Sequence, residues 1–403
     1  MKSLIICFIF FSCACDVQAQ LNYVLNPSFE QYSLCPPGPD NIRLATHWGQ
    51  IDTVVVDPVC SPEYCNVCAT WSGVGVPSGA GYYHYPRTGN GMAQNLMYFD
   101  NRISGENYQR DYTQGRLYTA LTSGKTYCVT FYVTLEQVSQ YAINHIGAYL
   151  DDGSIDAGQD SNGCALPQTA YTPQIVVDTI INDVLNWIKV QGRFTASGSE
   201  KFITIGNFSN IENTDTLRVH ASMPNDFSYY LIDDVSVIAS DAVANAGPDG
   251  LVSPGSDSAF IGTTDEGMPC TWYIVGDTVP IGYSGGLKVH PDTTTSYVVV
   301  MDLCGNVTRD TVVVHVAPAG VTPLTPKGEP AIWPNPVHNE LTVTNIAGSV
   351  LHIYDMVGQQ VMTLNCQKDK EVINVGNLFN GVYLVQIIDP ATGTRTAKKI
   401  TKE

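Results

Sequence analysis

The feature that most constrains the fold is a strict alternation of residue character around position 130. The hydrophobic residues at every second position there are Tyr127, Val129, Phe131, Val133 and Leu135. Successive side chains of a β-strand point to opposite faces, so these residues share one face and the residues between them share the other. The pattern predicts a half-buried strand. Helical periodicity is nearly absent, and residues 179–187 are the one short candidate.

Similar runs predict that residues 20–239 form one large jelly-roll sandwich. The runs lie at 145–150, 175–177, 187–195, 202–208 and 230–238. About 220 residues of strands and long loops suit a single jelly roll. The composition agrees, because 35 Gly and 23 Pro supply many turns and only 14% of the residues are charged.

Residues 240–317 are predicted to form a second, smaller sandwich. Strand-like runs at 272–275, 295–300 and 310–316 are separated by turn residues. The segments 293–297, 304–305 and 310–312 resemble the immunoglobulin-like or PKD-like spacer repeats of bacterial surface proteins. We expect a spacer, because a unit of this size is too small for an active site of its own. Residues 318–330 contain four prolines and predict an extended linker.

The last segment, residues 331–403, shows five short β-runs with turn residues between them, which predict a third sandwich. The runs lie at 341–344, 351–354, 371–375, 381–388 and 396–403. It resembles the C-terminal sorting domain of proteins exported by type IX secretion. The matching residues include Pro334, Asn335, Pro336, Gly381, Tyr383, Lys398 and Lys399. The resemblance implies that the type IX machinery is a partner and that the domain is removed when the passenger is anchored. The predicted class is therefore all-β: a large jelly roll followed by two small immunoglobulin-like sandwiches.

The other end of the chain predicts export as well. Lys2 precedes an apolar run at 4–11, and small residues precede Gln20, so residues 1–19 form a predicted signal peptide. Cys15 leaves a lipoprotein cleavage site as an alternative. No later stretch has about 20 consecutive apolar residues, so we expect no transmembrane segment. The predicted route runs through the periplasm to the outer-membrane surface or the extracellular space.

The charge is acidic and unevenly distributed. The formal net charge is −18. Residues 331–403 contain six Lys or Arg and six Asp or Glu, so the whole excess lies upstream. Because an acidic passenger offers no basic patch for phosphates, nucleic acid and anionic lipid are excluded as predicted partners. Solubility outside the cell is the alternative explanation of the acidity.

The cysteines predict disulfides, because an exported chain meets an oxidising environment. Cys270 and Cys304 fall in one predicted domain, and we expect a bridge between them worth about 3 kcal/mol. The six cysteines of the first domain are Cys35, Cys60, Cys65, Cys68, Cys128 and Cys164. Six cysteines permit 15 connectivities, and the sequence does not choose among them.

A second resemblance concerns the first domain. The segments 26–30, 203–208 and 230–235 are similar to the galactose-binding-like jelly rolls of carbohydrate-binding modules. The resemblance implies that the first and last strands lie together and that Glu30, with Asp233 or Asp234, holds a structural calcium ion. Ca²⁺ prefers such oxygen ligands. In the alternative, Glu30 caps a turn and one aspartate faces solvent, because neighbouring strand residues point to opposite faces.

One loop carries the side chains expected of a sugar site. The predicted ligand-binding residues are Trp71, Tyr82, Tyr83, Tyr85 and Arg87. Aromatic faces stack on sugar rings, and a guanidinium donates several hydrogen bonds. In the alternative, these rings cover the core beneath long loops.

The sequence predicts a non-enzymatic binding or adhesion protein that recognises a glycan or surface polymer through its jelly-roll loops. No metalloprotease or nucleotide-binding motif is found. The alternatives are a carbohydrate-active hydrolase, which needs two carboxylates about 5 to 10 Å apart, and a structural component of the surface layer or motility apparatus.

Overall fold

A computed structural model describes most of the chain. The described residues are 20–51, 61–77, 84–99, 110–155, 165, 167–220, 226–253, 258–317, 330–356, 358–390 and 395–403. The predicted signal peptide, Tyr82, Tyr83 and residues 318–329 of the predicted linker lie outside them. Contacts between Cα atoms divide the chain into two compact units, Met1–Ala319 and Gly320–Glu403.

The predicted all-β class is confirmed. Within the described ranges, the helices are two 3-10 turns, Ile42–Leu44 and Ile211–Asn213. None of the described helices is long and apolar enough to cross a membrane. The candidate helix at 179–187 is irregular instead. The Asp183 carboxylate accepts the backbone N–H groups of Leu185 and Asn186, each at 2.8 Å, and such local bonds compete with a helix.

The first sandwich consists of two five-stranded sheets. Its strands are β1 (Trp48–Gln50), β2 (Glu63–Asn66), β3 (Gly91–Phe99), β4 (Thr113–Arg116), β5 (Thr126–Leu135), β6 (Tyr141–Ile143), β7 (Ile146–Asp151), β8 (Ile175–Val177), β9 (Ile188–Thr195), β10 (Phe202–Asn207), β11 (Thr216–Arg218) and β12 (Phe227–Ala239). One sheet has the order β1-β4-β10-β7-β8, the other has the order β2-β3-β12-β5-β9, and β6 pairs with β11 outside them. This is the layered arrangement that a jelly roll requires.

Strand β5 confirms the predicted alternation but is buried on both faces. Its inward residues, among them Phe131 and Val133, belong to the main hydrophobic cluster. Burial of each such side chain contributes about 1.5–3 kcal/mol. Its outward residues, including Cys128 and Thr130, are buried too, and Cys128 belongs to the hydrophobic cluster of the second sandwich. The outer face of β5 is therefore an internal surface.

Strand β12 contains a bulge that decides where two acidic residues point. Its pairing with β5 shifts register between Asp233 and Ser236, and Asp234 has a φ of 50°. A bulge of this kind breaks the alternation of faces. Both Asp233 and Asp234 are consequently fully buried, and the expectation that one of them faces solvent is wrong.

The second sandwich packs against the first within the same compact unit. Its strands are β13 (Gly250–Val252), β14 (Ala259–Gly262), β15 (Cys270–Ile274), β16 (Gly286–Val289), β17 (Thr295–Leu303) and β18 (Asn306–Val316). They form a four-stranded sheet, β13-β18-β17-β15, and a two-stranded sheet, β14-β16. Its core surrounds the buried Trp272, whose Nε1 donates to the Ser284 carbonyl at 2.9 Å, and the same cluster includes Ile238 of β12.

The predicted Cys270–Cys304 disulfide is wrong. Cys304 is bonded to Cys128 of the first sandwich, with a Cα–Cα distance of 5.8 Å. Cys304 follows β17 in a turn at the junction, whereas Cys270 begins β15, is a buried free thiol and belongs to the core cluster. Counting within predicted domains failed because the bridge joins the two sandwiches. Cys35 pairs with Cys68, one of the pairings that the sequence left open.

The tail is a separate unit. Its strands are β19 (Ala331–Trp333), β20 (Glu340–Thr344), β21 (Val350–Tyr354), β22 (Gln360–Asn365), β23 (Lys370–Asn374), β24 (Gly381–Ile388) and β25 (Arg395–Lys402). They form the sheets β19-β20-β23 and β22-β21-β24-β25 around one core. Asn335 joins the start of the tail to its end, because its amide donates to the Lys399 carbonyl at 3.0 Å and accepts the Thr401 N–H at 2.9 Å.

Candidate functional site

A groove of about 750 Å³ lies where the two sandwiches of the first unit meet. One wall comes from the loop at 84–87 and from β5 and β9, and the other comes from the second sandwich. The lining residues are His84, Tyr85, Pro86, Arg87, Tyr132, Leu185, Asn186, Trp187, Lys189, Pro269, Thr271, Tyr273, Tyr283, Val300 and Asp302. The groove thus depends on how the outer face of the β5 sheet is covered.

Several aromatic residues line this groove. Tyr85 is 60% exposed, and Tyr283 is exposed on the opposite wall. Trp187 fixes the loop, because its Nε1 donates to the Tyr85 carbonyl at 3.2 Å and its ring meets the His84 ring edge-on at 5.2 Å. The rings therefore stand on backbone that is itself held in place.

Arg87 connects the two walls. Its guanidinium carbon lies 3.6 Å from the centre of the Tyr132 ring and 5.1 Å from that of Tyr283, and its Nη1 donates to the Tyr283 carbonyl at 3.2 Å. The same nitrogen forms an ion pair with Asp234, and the Arg87 side chain is only 7% exposed. Cation–π contacts of a desolvated guanidinium are worth about 2 kcal/mol. Arg87 acts here as a clasp between the sandwiches.

The carboxylates beneath Arg87 are fully engaged by donors. Asp233 accepts the backbone N–H groups of Arg87 at 2.7 Å and Thr88 at 3.2 Å. Asp234 accepts the hydroxyls of Ser28 and Thr88, both at 2.6 Å. Burial, together with the neighbouring Asp234 charge, holds the pKa of Asp233 well above its usual range.

This arrangement does not fit a calcium ion. Glu30 has a different role from the two aspartates. Its Oε1 caps a turn by accepting the backbone N–H groups of Asn90 at 2.6 Å and Gly91 at 2.8 Å. No group of three His, Cys, Asp or Glu side chains in the described ranges is placed to hold a metal. The positive charge next to Asp234 is a guanidinium. Structural calcium stays a prediction from the sequence that this geometry does not support.

A second ion pair belongs to the lining of the groove. Lys189 Nζ of β9 lies 2.6 Å from Asp302 Oδ2 of β17, and both side chains are partly exposed. Burial acts to raise the pKa of the Asp302 carboxyl, but the hydrogen bonds from Lys189 and from the Gly305 N–H outweigh it and lower that pKa. The pair also ties the two sandwiches together.

The structure places two of the predicted ligand residues in the groove and a third outside it. Tyr85 and Arg87 line the groove, whereas Trp71 does not belong to the lining. Tyr82 and Tyr83 lie outside the described residues. Sequence reasoning missed the lining residues contributed by β5, β9 and the second sandwich. For Tyr283, the only signal was its place among glycines at 282–286, a turn-rich stretch.

The lining does not have the arrangement of a two-carboxylate hydrolase. Its described residues include one carboxylate, Asp302, and Lys189 neutralises it. Elsewhere, Ser209 Oγ lies 3.0 Å from His145 Nδ1, and Asp178 Oδ1 lies 3.7 Å from His145 Nε2. A nucleophilic triad needs a buried carboxylate hydrogen-bonded to the histidine, but Asp178 is 85% exposed and too distant.

No curated protein sequence matches this chain. Among solved structures, the K1 cleaved adhesin domain of Lys-gingipain from Porphyromonas gingivalis W83 is 16% identical, covers 53% of this chain and 95% of its own, and gives a TM-score of 0.27. The CBM22-1 xylan-binding domain from Paenibacillus barcinonensis Xyn10C is 13% identical, covers 56% and 99%, and gives a TM-score of 0.27.

A third similar structure is PorZ, an essential bacterial surface component of the type-IX secretion system of Porphyromonas gingivalis. It is 16% identical over 26% of this chain, with a TM-score of 0.19, and the match spans only 15% of PorZ. At TM-scores this low, none of the three likenesses bears on what the chain binds.

The tail of the chain matches a known domain family. Residues 331–403 match the family described as the secretion system C-terminal sorting domain, which confirms the resemblance carried by Pro334, Asn335, Pro336, Gly381 and Tyr383, with Lys398 and Lys399 in the last strand. The chain therefore carries a C-terminal sorting domain and is directed by type IX secretion to the cell surface or the extracellular space.

Proposed function

We propose that this chain is a secreted, non-enzymatic binding protein that holds a glycan in the groove between its two sandwiches. The observation that carries the proposal is the lining itself. Tyr85, Trp187 and Tyr283 are placed around one groove with the polar side chains of Lys189 and Asp302. Sugar rings stack on aromatic faces, and their hydroxyls form strong hydrogen bonds with charged groups.

The size of the groove supports a ligand of a few sugar rings. Its volume of about 750 Å³ lies within the range of about 300–1,000 Å³ that is usual for ligand sites. The walls are also fixed before any ligand arrives, because the Cys128–Cys304 disulfide and Arg87 hold the sandwiches together. Preorganised walls reduce the entropy that binding must overcome.

Delivery of the chain to the cell surface or the extracellular space by its sorting domain supports this proposal, because a binding protein can meet glycans and surface polymers there. Glu30, Asp233 and Asp234 support the fold and not the binding in this proposal, since their oxygens accept hydrogen bonds from the protein.

The test is binding of the secreted protein to a glycan array and to insoluble polysaccharides. Tyr85→Ala and Tyr283→Ala should each weaken binding by about tenfold, the loss expected for truncating a central aromatic contact. Trp71→Ala is the matched control, because Trp71 is an exposed aromatic outside the lining. Loss of binding in Trp71→Ala alone would move the site to the jelly-roll loops, and binding to no glycan would favour a structural role.

A further inference from the structure

The cationic side chains that line the groove are already neutralised by carboxylates of the protein. Among the described lining residues these are Arg87, paired with Asp234, and Lys189, paired with Asp302. We infer that the groove selects neutral polysaccharides and discriminates against glycans that carry carboxylate or sulfate groups. The inference rests on the proposed glycan-binding function and names the ligand class of the same site.

Arg87 is not available to an anionic sugar. Its guanidinium lies between the rings of Tyr132 and Tyr283 and is bound to a fully buried carboxylate. A ligand carboxylate that drew Arg87 away would leave Asp234 buried without its counter-charge. Breaking a buried ion pair by removing one partner is strongly destabilising. Arg87 therefore contributes structure, and its charge is not free for recognition.

Lys189 and Asp302 form a polar unit that suits hydroxyl groups. An ammonium has three donors and a carboxylate has several acceptor positions, so the pair can both donate to and accept from neighbouring sugar hydroxyls without separating. A uronate or sulfate would instead compete with Asp302 for Lys189 and would meet the Asp302 charge at close range. Like charges that lie this close are repelled.

The distribution of charge over the chain acts in the same direction. The net charge is −18, and the sorting domain contributes none of it, since its six basic and six acidic residues cancel. The part of the chain that holds the groove is therefore strongly acidic, which slows the approach of a polyanion and does not affect a neutral polymer. His84, the remaining basic residue of the described lining, carries no permanent charge.

The test compares polymers that share a backbone and differ in charge. Suitable pairs are hydroxyethylcellulose with carboxymethylcellulose, methyl-esterified with de-esterified homogalacturonan, and unsubstituted xylan with glucuronoxylan. For any backbone that binds, the neutral member should bind at least about tenfold more tightly. Raising the salt from about 0.05 to about 0.5 M should change the affinity for the neutral member by less than about twofold, because no ion pair with the ligand is screened.

A charge variant sharpens the test. Asp302→Asn frees Lys189, so it should raise affinity for the anionic member of a bound pair by about tenfold and make that binding salt-dependent. The matched control is the double variant Asp302→Asn with Lys189→Met, which should show no such gain. If Asp302→Asn fails to fold, the affinities of the unaltered protein for the neutral and anionic polymers, with their salt dependence, still test the inference.

Tighter binding of the anionic member by the unaltered protein would overturn this inference and leave the proposed function standing. Absence of binding to either member of every pair, and to the glycan array, would overturn both.

Discussion

Strands β5 and β24 both place alternate side chains in a core, but they have different surroundings. The inward side chains include Phe131 and Val133 in β5 and Val385 and Ile387 in β24. The other face of β24 meets solvent, with Leu384 43% exposed, whereas Thr130 on the other face of β5 is fully buried. Alternation identifies the face that packs on the core, but it does not reveal whether the opposite face is covered.

The largest expected effect comes from the Cys128–Cys304 disulfide, which attaches the second sandwich to the outer face of β5. Cys304→Ser should lower the free energy of unfolding of the first unit by about 4 kcal/mol, because the Cys128–Cys304 bridge closes a separation of 176 residues. Chemical denaturation without reductant measures it. Cys270→Ser is the matched control and should leave the number of disulfides unchanged. Peptide mapping that finds a Cys270–Cys304 bridge would contradict the structure.

The next effect concerns Arg87, which connects the two sandwiches. Arg87→Met should destabilise the first unit by about 3 kcal/mol, because it leaves Asp234 buried without its cation. Thermal and chemical unfolding measure it, with Arg116→Met as the control on an exposed arginine of β4. A calcium chelator should leave the melting temperature of the unaltered protein unchanged. A clear drop on chelation would restore the calcium prediction for Glu30, Asp233 and Asp234.

A direct comparison of the two strands should give a smaller difference. Thr130→Asp buries a carboxylate on the covered face of β5 and should cost about 2 kcal/mol. Leu384→Asp places the same group on the exposed face of β24 and should change stability by less than about 1 kcal/mol. Denaturant unfolding of the full chain measures both. Equal costs would show that the outer face of β5 is open in solution.

The smallest effect is a dependence on pH that arises in the first sandwich. Burial raises the pKa of Asp111 to about 7 and that of Glu136 to about 8. In the unfolded chain both groups ionise near pH 4, so between about pH 4 and 8 the native state keeps protons that the unfolded state has lost. Stability is then greatest at the acidic end and is lost as the pH rises through 7 to 8.

We therefore expect a higher unfolding free energy at about pH 6 than at about pH 7, by about 2 kcal/mol. Asp111→Asn should flatten this dependence, and Asp241→Asn, at an exposed position, should not. Calorimetry at the two pH values measures it. A stability that rises with pH over this window would show that the two carboxyl groups are not buried in the neutral form.

Local patterns made most of the strands predictable. β8 and β24 were predicted with the bounds that the structure has, because each is a run of mostly β-branched and other apolar residues that is flanked by turn residues. β22 was missed, since it lies at the edge of its sheet and none of its residues is fully buried. A strand without a buried face leaves little hydrophobic pattern to recognise.

Only some of the residues that line the groove were predictable from the sequence. Tyr85 and Arg87 stood out because they share one short loop with other aromatics. Tyr283 and Asp302 did not, because they lie far away in sequence, in a unit that was expected to be a spacer. Their position depends on a contact between two sandwiches and on a disulfide that joins residues 176 apart. Composition and periodicity are local properties and carry no information about such pairings.

A groove shared by two sandwiches also limits how the gene encoding this chain can be rearranged. The tail can be exchanged for another sorting domain without touching any residue of the lining. Replacement of the second sandwich would remove Tyr283, Asp302 and Cys304 together, and so one wall, one ion pair and the covalent link would vanish in a single recombination. The two sandwiches must therefore be inherited together for the groove to persist, although each has the length of a separate module.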